Sequence, residues 1–100
     1  MRGDARVPHP IDGGCQTVAI GASSARTTSG VGTQTRKVII GASAGAHYVL
    51  GNSSVTATTS DTHINSGSEQ LVRIAPGQYV AVIQDADAAS GNLWVSEVAD

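Results

Sequence analysis

The stretch Gln70–Glu97 decides the fold of this chain, and it reads QLVRIAPGQYVAVIQDADAASGNLWVSE. It contains three short apolar runs, at 71–75, 79–83 and 93–98. Between the first two runs, Pro76 presets φ for the first central position of a turn, and Gly77 supplies the positive φ that a type II turn requires next. Short, β-branched runs bounded by turn residues are typical of strands rather than helices. The stretch therefore predicts an antiparallel meander of three strands.

Alternation within the second and third runs predicts which of their residues are buried. Successive residues of a strand point to opposite faces of the sheet. Val80 and Val82 therefore share one face, and so do Leu93 and Val95 in the next run. We predict that these four side chains lie in the core.

The only tryptophan, Trp94, then projects from the face opposite Leu93. If the second and third strands are neighbours, Tyr79 and Ile83 lie on the same face as Trp94. Large aromatic side chains are enriched at protein interfaces, where they remove much apolar area from water. We expect the three to form an apolar patch that another subunit or a partner covers. The opposite register, with Trp94 as the largest core residue, stays open.

The chain upstream contains further strand-like segments. Four of them stand at 16–20, 33–40, 46–50 and 62–65. In the first, Val18 and Ile20 share one face. About seven short strands separated by turn residues are typical of a β-sandwich or jelly roll. The predicted fold class is therefore all-β, a small antiparallel sandwich or jelly-roll-like domain over residues 15–100.

Residues 1–14 are polar, rich in Pro and Gly, and without periodicity. Pro8 and Pro10 favour extended backbone and disfavour helix. The segment has no continuous apolar region of the kind that marks a secretory signal. We expect an extended N-terminal arm that lacks regular structure and uses Pro8 and Pro10 in contacts with a partner.

Composition limits the classes of partner and the size of the core. The chain has 100 residues, a formal net charge of −2, 3% aromatic residues and no Phe. The absence of a basic cluster argues against nucleic acid and anionic membrane as partners. Small side chains bury little apolar area per residue. Such a thin core predicts stability shared with neighbouring subunits, most simply as a trimer.

One short motif suggests an enzyme but fits poorly. Residues 41–45, GASAG, match the G-x-S-x-G nucleophile elbow around Ser43. That elbow joins a strand to a helix, whereas residues 47–50 are strand-like, and the chain is too short for a hydrolase sheet covered by helices. We interpret 41–45 as a hairpin turn and expect no enzymatic activity and no catalytic residue.

Potential metal ligands are scattered rather than grouped. His9, His47 and His63 lack the i, i+2 or i, i+4 spacing of a metal site, and Cys15 is the only cysteine. Residues 85–87, DAD, begin like a calcium loop, but the later Gly and Glu of an EF-hand are missing. The sequence therefore predicts no metal and no cofactor.

The order of several segments in the second half resembles a known group of proteins. These segments are LG at 50–51, TATTSD at 56–61, APGQ at 75–78, VAVI at 80–83 and LxVxEV at 93–98. Together they resemble small virion proteins encoded among the head genes of tailed bacteriophages, over roughly residues 36–98. The chain departs from that pattern at His63, in place of an aliphatic residue, and at Trp94, in place of a small polar one.

The resemblance implies a β-sandwich or jelly-roll protein of the phage particle. The expected function is a non-enzymatic decoration (cement) protein that binds the major capsid protein on the outer surface of the head and stabilises the shell. A neck, tail or fibre-base component is the alternative within this class. A carbohydrate-binding module is the alternative from another class, with Trp94, Tyr48 and Tyr79 as its only aromatic side chains.

Overall fold

The computed structural model describes residues 9–86 and 89–99. These residues form strands, turns and loops, with no helix among them, so the all-β prediction is confirmed. No helix in this part of the chain is therefore long and apolar enough to cross a membrane. The strands are β1 (His9–Ile20), β2 (Ala25–Arg26), β3 (Lys37–Ala42), β4 (Ala46–Gly51), β5 (Thr62–Ile64), β6 (Glu69–Arg73), β7 (Tyr79–Gln84) and β8 (Gly91–Ala99).

The strands form two four-stranded antiparallel sheets, consistent with a small β-sandwich. Sheet A has the order β1-β8-β3-β6, and sheet B has the order β2-β7-β4-β5. Apolar residues alternate along the strands and bury their side chains between the two sheets. The fully buried members with the largest side chains are Ile20, Val38, Ile40, Ile64, Val80, Val82, Leu93 and Val95.

The strand pairs are nested around the middle of the chain. β4 pairs with β5, β3 with β6, β2 with β7, and β1 with β8, each antiparallel. The chain therefore pairs like one long hairpin whose tip lies in the loop between β4 and β5. Two further pairings, β3 with β8 and β4 with β7, join these ribbons into sheets.

The predicted meander is wrong, because the three strands of this stretch alternate between the two sheets. β6 and β8 belong to sheet A, whereas β7 belongs to sheet B. The predicted turn is present: Gly77 has φ 81°, and the Gln78 N–H donates to the Ala75 carbonyl over 3.2 Å. A short turn can connect strands in facing sheets as well as neighbours in one sheet. The same correction applies to residues 43–45, which join β3 to β4 across the sandwich rather than as a hairpin.

The predicted core is confirmed. Val80, Val82 and Leu93 are fully buried and Val95 is 1% exposed. In β1, Val18 and Ile20 are buried as well, while the alternating residues 17 and 19 are exposed. The alternation fails at Ala81, on the other face of β7, which is also completely buried.

The predicted N-terminal arm is too long. β1 begins at His9, and His9 and Pro10 pair with Ala99 and Val98 of β8, so the expectation that residues 9–14 lack regular structure is wrong. Pro10 lies opposite Val98, and the register shifts between Pro10 and Cys15. A bulge of this kind lets a strand tolerate a proline that cannot donate to the ladder. Residues 1–8, including Pro8, lie outside the described residues.

One edge of the sandwich is closed by a polar side chain. Gln70, on β6, points between the sheets, where the Tyr48 hydroxyl donates to its Oε1 over 2.6 Å. Its Nε2 lies 3.4 Å from the His63 carbonyl oxygen on β5. The bonds satisfy the hydroxyl of a buried tyrosine and hold β6 against β5. Burial raises the pKa of the Tyr48 hydroxyl.

Candidate functional site

The outer face of sheet A exposes two large apolar side chains. Trp94 on β8 is 39% exposed and Leu71 on the edge strand β6 is 55% exposed. Ile39 of β3 lies directly opposite Leu71 and shares its face, half-buried. Within the described residues, Trp94 and Leu71 are the exposed large hydrophobic residues of the chain. We call Trp94, Leu71 and Ile39 the sheet A patch.

The outward orientation of Trp94 is confirmed, but its predicted neighbours lie elsewhere. Tyr79 and Ile83 are on β7, in the other sheet, so they cannot share a face with Trp94. The Arg26 guanidinium lies over the Tyr79 ring, 4.8 Å from its centroid. Ile83 lies opposite His47 of β4 and is half-buried. The predicted three-residue patch is therefore not assembled, because strands adjacent in sequence are not adjacent in space.

The aromatic side chains do not form a common platform. Trp94 projects from sheet A, Tyr79 lies against Arg26 on sheet B, and Tyr48 is 6% exposed in the core. Sugar-binding surfaces usually present aromatic rings side by side. The described residues contain no such arrangement.

A second cluster, which the sequence did not predict, lies on the outer face of sheet B. The Nε2 of His47 lies 3.0 Å from Asp85 Oδ1, and the Nε2 of His63 lies 3.4 Å from Asp85 Oδ2. The two imidazole rings meet edge to face, with centroids 5.1 Å apart. We call His47, His63 and Asp85 the histidine cluster.

Strand pairing brings these three residues together. His47 on β4 lies directly opposite His63 on β5, and Asp85 follows the end of β7, the other neighbour of β4. The residues are far apart in sequence, so no spacing rule detects them. The only available signal was cross-strand: an antiparallel pairing of the segments 46–50 and 62–65 places the two histidines side by side.

The geometry at His47 favours the charged imidazolium. Its Nδ1 lies 2.9 Å from the Asp61 carbonyl oxygen, and its Nε2 faces the Asp85 carboxylate. Neutral imidazole has one donor nitrogen, so only the protonated ring donates to both oxygens. The bond to the Asp61 carbonyl, followed by that to Asp85, raises the pKa of His47. Bonds from His47 and from the Ala86 N–H lower the pKa of Asp85.

The histidine cluster is an ion pair that depends on protonation rather than a metal centre. The His47 side chain is 12% exposed, whereas those of His63 and Asp85 are each 42% exposed. No group of His, Cys, Asp and Glu in residues 9–86 and 89–99 has the geometry to hold a metal ion. Asp85, the first residue of the segment that begins like a calcium loop, pairs with histidine, and Asp87 lies outside the described residues.

Ser43, the candidate nucleophile, holds a connection in place. Its Oγ accepts a hydrogen bond from the Asn92 N–H over 2.9 Å, and its own N–H donates to the Asn92 carbonyl over 3.0 Å. These bonds fasten the β3–β4 connection to the start of β8. They also explain Gly91, since a Cβ there would lie 2.5 Å from Ser43 Oγ.

No protein-family model, curated protein or solved structure matches this chain. The resemblance to phage virion proteins thus depends on the sequence segments quoted above. Within the described residues, the sheet A patch and the histidine cluster are the surface features that suggest a function.

Proposed function

We propose that this chain is a decoration (cement) protein that binds the major capsid protein on the outer surface of a tailed-phage head. The observation that carries the proposal is the sheet A patch, where Trp94 and Leu71 expose apolar area on a rigid sheet. Partly exposed aromatic side chains on a flat, well-supported surface are typical anchors of protein interfaces. The segments that resemble phage virion proteins support the same reading.

The strand arrangement supports a jelly-roll assignment as part of this proposal. A jelly roll has eight strands in two sheets, and this architecture recurs in viral capsid domains. The nested pairs β1–β8, β2–β7, β3–β6 and β4–β5, divided between two sheets, support this assignment. Such a body needs no pocket to act, because its broad sheet faces supply the contacts.

The mechanism is stabilisation of the shell by mass action. A protein that binds the assembled shell more tightly than its free subunits shifts the equilibrium toward the shell. In our proposal the indole of Trp94 becomes buried against the coat protein. The polar side chains around it form the solvent-accessible rim of the contact.

Binding of purified protein to empty heads of the parent phage tests the proposal. We expect the wild-type protein to cosediment with the heads, and the fluorescence of Trp94, the only tryptophan, to shift to the blue. Trp94→Ala should reduce binding by at least tenfold while the free protein stays folded by circular dichroism. Thr59→Ala is the control, because Thr59 is exposed in the loop between β4 and β5 of sheet B, away from Trp94, and this variant should bind like the wild type.

The outcomes separate the alternatives. Failure of the wild-type protein to bind heads, or undiminished binding by Trp94→Ala, would overturn the proposal. Cosedimentation with isolated tails but not with heads would instead assign the protein to the neck, tail or fibre base. Retention on a glycan array, without binding to heads, would favour the carbohydrate-binding class.

A further inference from the structure

The edge strand β6 has backbone groups that point away from the molecule. It lies at the end of sheet A, with β3 as its only neighbour in that sheet. The N–H of Ile74 donates to the Arg36 carbonyl, and the N–H of Ala42 donates to the Ser68 carbonyl. Antiparallel ladders bond at every second residue. Residues 70 and 72 therefore face β3, and the N–H and C=O groups of residues 69, 71 and 73 face the free edge.

The side chains of the same three residues form a symmetric pattern. Glu69, Leu71 and Arg73 are all exposed and, being two residues apart, share the outer face. The acid and the base flank Leu71 at equal distances along the strand. Neither Glu69 nor Arg73 has an ion-pair partner among the residues that the structure describes.

We propose that two copies of this chain pair antiparallel through β6, about a two-fold axis at Leu71. In this register, Leu71 lies opposite Leu71 of the second copy, and Glu69 lies opposite Arg73 of the second copy. The free backbone groups of residues 69, 71 and 73 then bond across the axis. The two copies of sheet A become one continuous eight-stranded sheet.

The charges of Glu69 and Arg73 favour this register over registers shifted by two or four residues. A shift of the pairing by two residues places Glu69 opposite Leu71, so the charged pairs are lost. A shift by four places Glu69 opposite Glu69, or Arg73 opposite Arg73, and like charges directly opposite each other destabilise a strand pair. An isologous interface requires a self-complementary strand, and the sequence EQLVR has that property about its centre.

The pairing covers a feature that otherwise favours aggregation. An open edge strand with an exposed leucine is a template for uncontrolled strand addition, and pairing in a closed dimer removes that edge. A two-fold axis is closed by two copies, so we propose a dimer in place of the trimer expected from the sequence. Trp94 lies two strands away from β6, on β8, and remains available for another contact.

Leu71 belongs to both proposed contacts, whereas Trp94, whose burial the capsid proposal predicts, lies outside the strand pairing. Loss of head binding in Trp94→Ala therefore leaves the dimer intact, and loss of the dimer does not test the burial of Trp94. The experiment is sedimentation equilibrium of the purified full chain without heads. We expect a mass twice that of the 10.1 kDa chain.

Charge reversal then tests the register. A chain with Glu69→Arg carries two basic residues beside Leu71, and a chain with Arg73→Glu carries two acidic ones. Each should sediment as a folded monomer, with at least tenfold weaker association than wild type. An equimolar mixture of the two, and the double variant Glu69→Arg/Arg73→Glu, should both recover the dimer. Arg26→Glu, on β2 of the other sheet, is the charge-matched control and should remain dimeric.

Each contrary outcome overturns the proposal. A wild-type protein that sediments as a monomer or a trimer excludes the two-fold pairing. A dimer that survives both single reversals uses another surface. Reversals that dissociate the dimer without recovery in the mixture and in the double variant exclude the proposed register.

Discussion

The imidazole ring of His47 links three segments of sheet B by hydrogen bonds. It binds the Asp61 carbonyl before β5 and the Asp85 carboxylate after β7, while itself belonging to β4. Because both bonds require the imidazolium, the stability of this side of the sandwich depends on protonation. His63 adds a second imidazole near the same carboxylate.

The free energy of unfolding should fall as the pH rises through the raised pKa of His47. A pKa that is higher in the folded state than the ordinary 6.5 stabilises the protein fully below 6.5, and this contribution disappears above the folded pKa. Asp85 has a pKa lowered from 3.8, so its contribution is present above 3.8 and disappears as the pH falls through the lowered value. Urea unfolding at a series of pH values measures both effects.

Three variants test the origin of this pH dependence. His47→Gln cannot titrate and should flatten the decline above pH 6.5, whereas Asp85→Asn leaves the bond to the Asp61 carbonyl and should only reduce the decline. His63→Gln should preserve most of it, because His63 Nε2 is farther from Asp85 than His47 Nε2 is. A wild-type midpoint that does not change with pH across this range would contradict the role assigned to His47.

A second residue-scale prediction concerns Gly30. A Cβ built there would lie 2.2 Å from the carbonyl oxygen of Gly77, which is backbone and cannot rotate away. The neighbouring bonds from Val31 N–H to Gln78 O and from Gly77 N–H to Val31 O hold the two loops together. Gly30→Ala should therefore destabilise the protein by about 1–3 kcal/mol or more, as overpacking does.

The matched control is Gly21→Ala. Nothing lies within 4 Å of a Cβ at Gly21, and its φ is outside the left-handed region. Thermal unfolding of both variants should show a lowered midpoint for Gly30→Ala alone. Equal midpoints would mean that the loops separate without cost.

At the scale of elements, local sequence predicted where strands lie and which residues they bury. The alternation around Val80, Val82, Leu93 and Val95 was sufficient, because one face of each strand is apolar and the side-chain period is two. Trp94 was placed outward by the same argument. These features depend on neighbouring residues only, so a single sequence contains them.

Strand partners could not be predicted in the same way. Pro76-Gly77 fixes a turn but does not determine whether the next strand stays in the sheet or crosses to the other one. That choice depends on β3 and β8 pairing across a long stretch of chain, which no local pattern encodes. The error on Tyr79 and Ile83, and the omission of the histidine cluster, both follow from unknown strand partners.

The third prediction concerns the packing of Val82, a core residue of sheet B. Val82→Ala removes two methyl groups from a fully buried position on β7, a strand with neighbours on both sides. The cost should be about 1–3 kcal/mol, since a cavity adds to the lost transfer free energy. Denaturant unfolding measures it, with Thr17→Ala on the exposed face of β1 as the control. A change below about 0.5 kcal/mol, the usual size for surface substitutions, would contradict the packing of β7.

The described part of the chain is compact despite its small side chains. Its radius of gyration is 13.3 Å, close to the roughly 13 Å typical of a folded chain of this length. Its extents of 47 × 27 × 22 Å describe an elongated body with two broad sheet faces. The sheet A patch occupies one of these faces and the histidine cluster the other, so the two features can act without interfering.

The nested strand pairs also determine the cost of closing each loop during folding. If β4 and β5 pair first, the free chain between β3 and β6 becomes shorter, so closing that loop costs less entropy. Each later pair of strands benefits in the same way. Loop-closure entropy grows with the length of free chain. A topology whose outermost strands are far apart in sequence can therefore form through a succession of short closures, which moderates the slow folding expected of nonlocal β-proteins.

This order of closure predicts how substitutions divide between the folding and unfolding rates. Ile64→Val, in β5 near the tip, should mainly slow folding, whereas Val18→Ala, in β1 at the open end, should mainly speed unfolding. Both residues belong to the core, at 0% and 4% exposure. Stopped-flow rates across a denaturant series measure the division. The reverse result would mean that the chain begins to close from β1 and β8, the strands farthest apart in sequence.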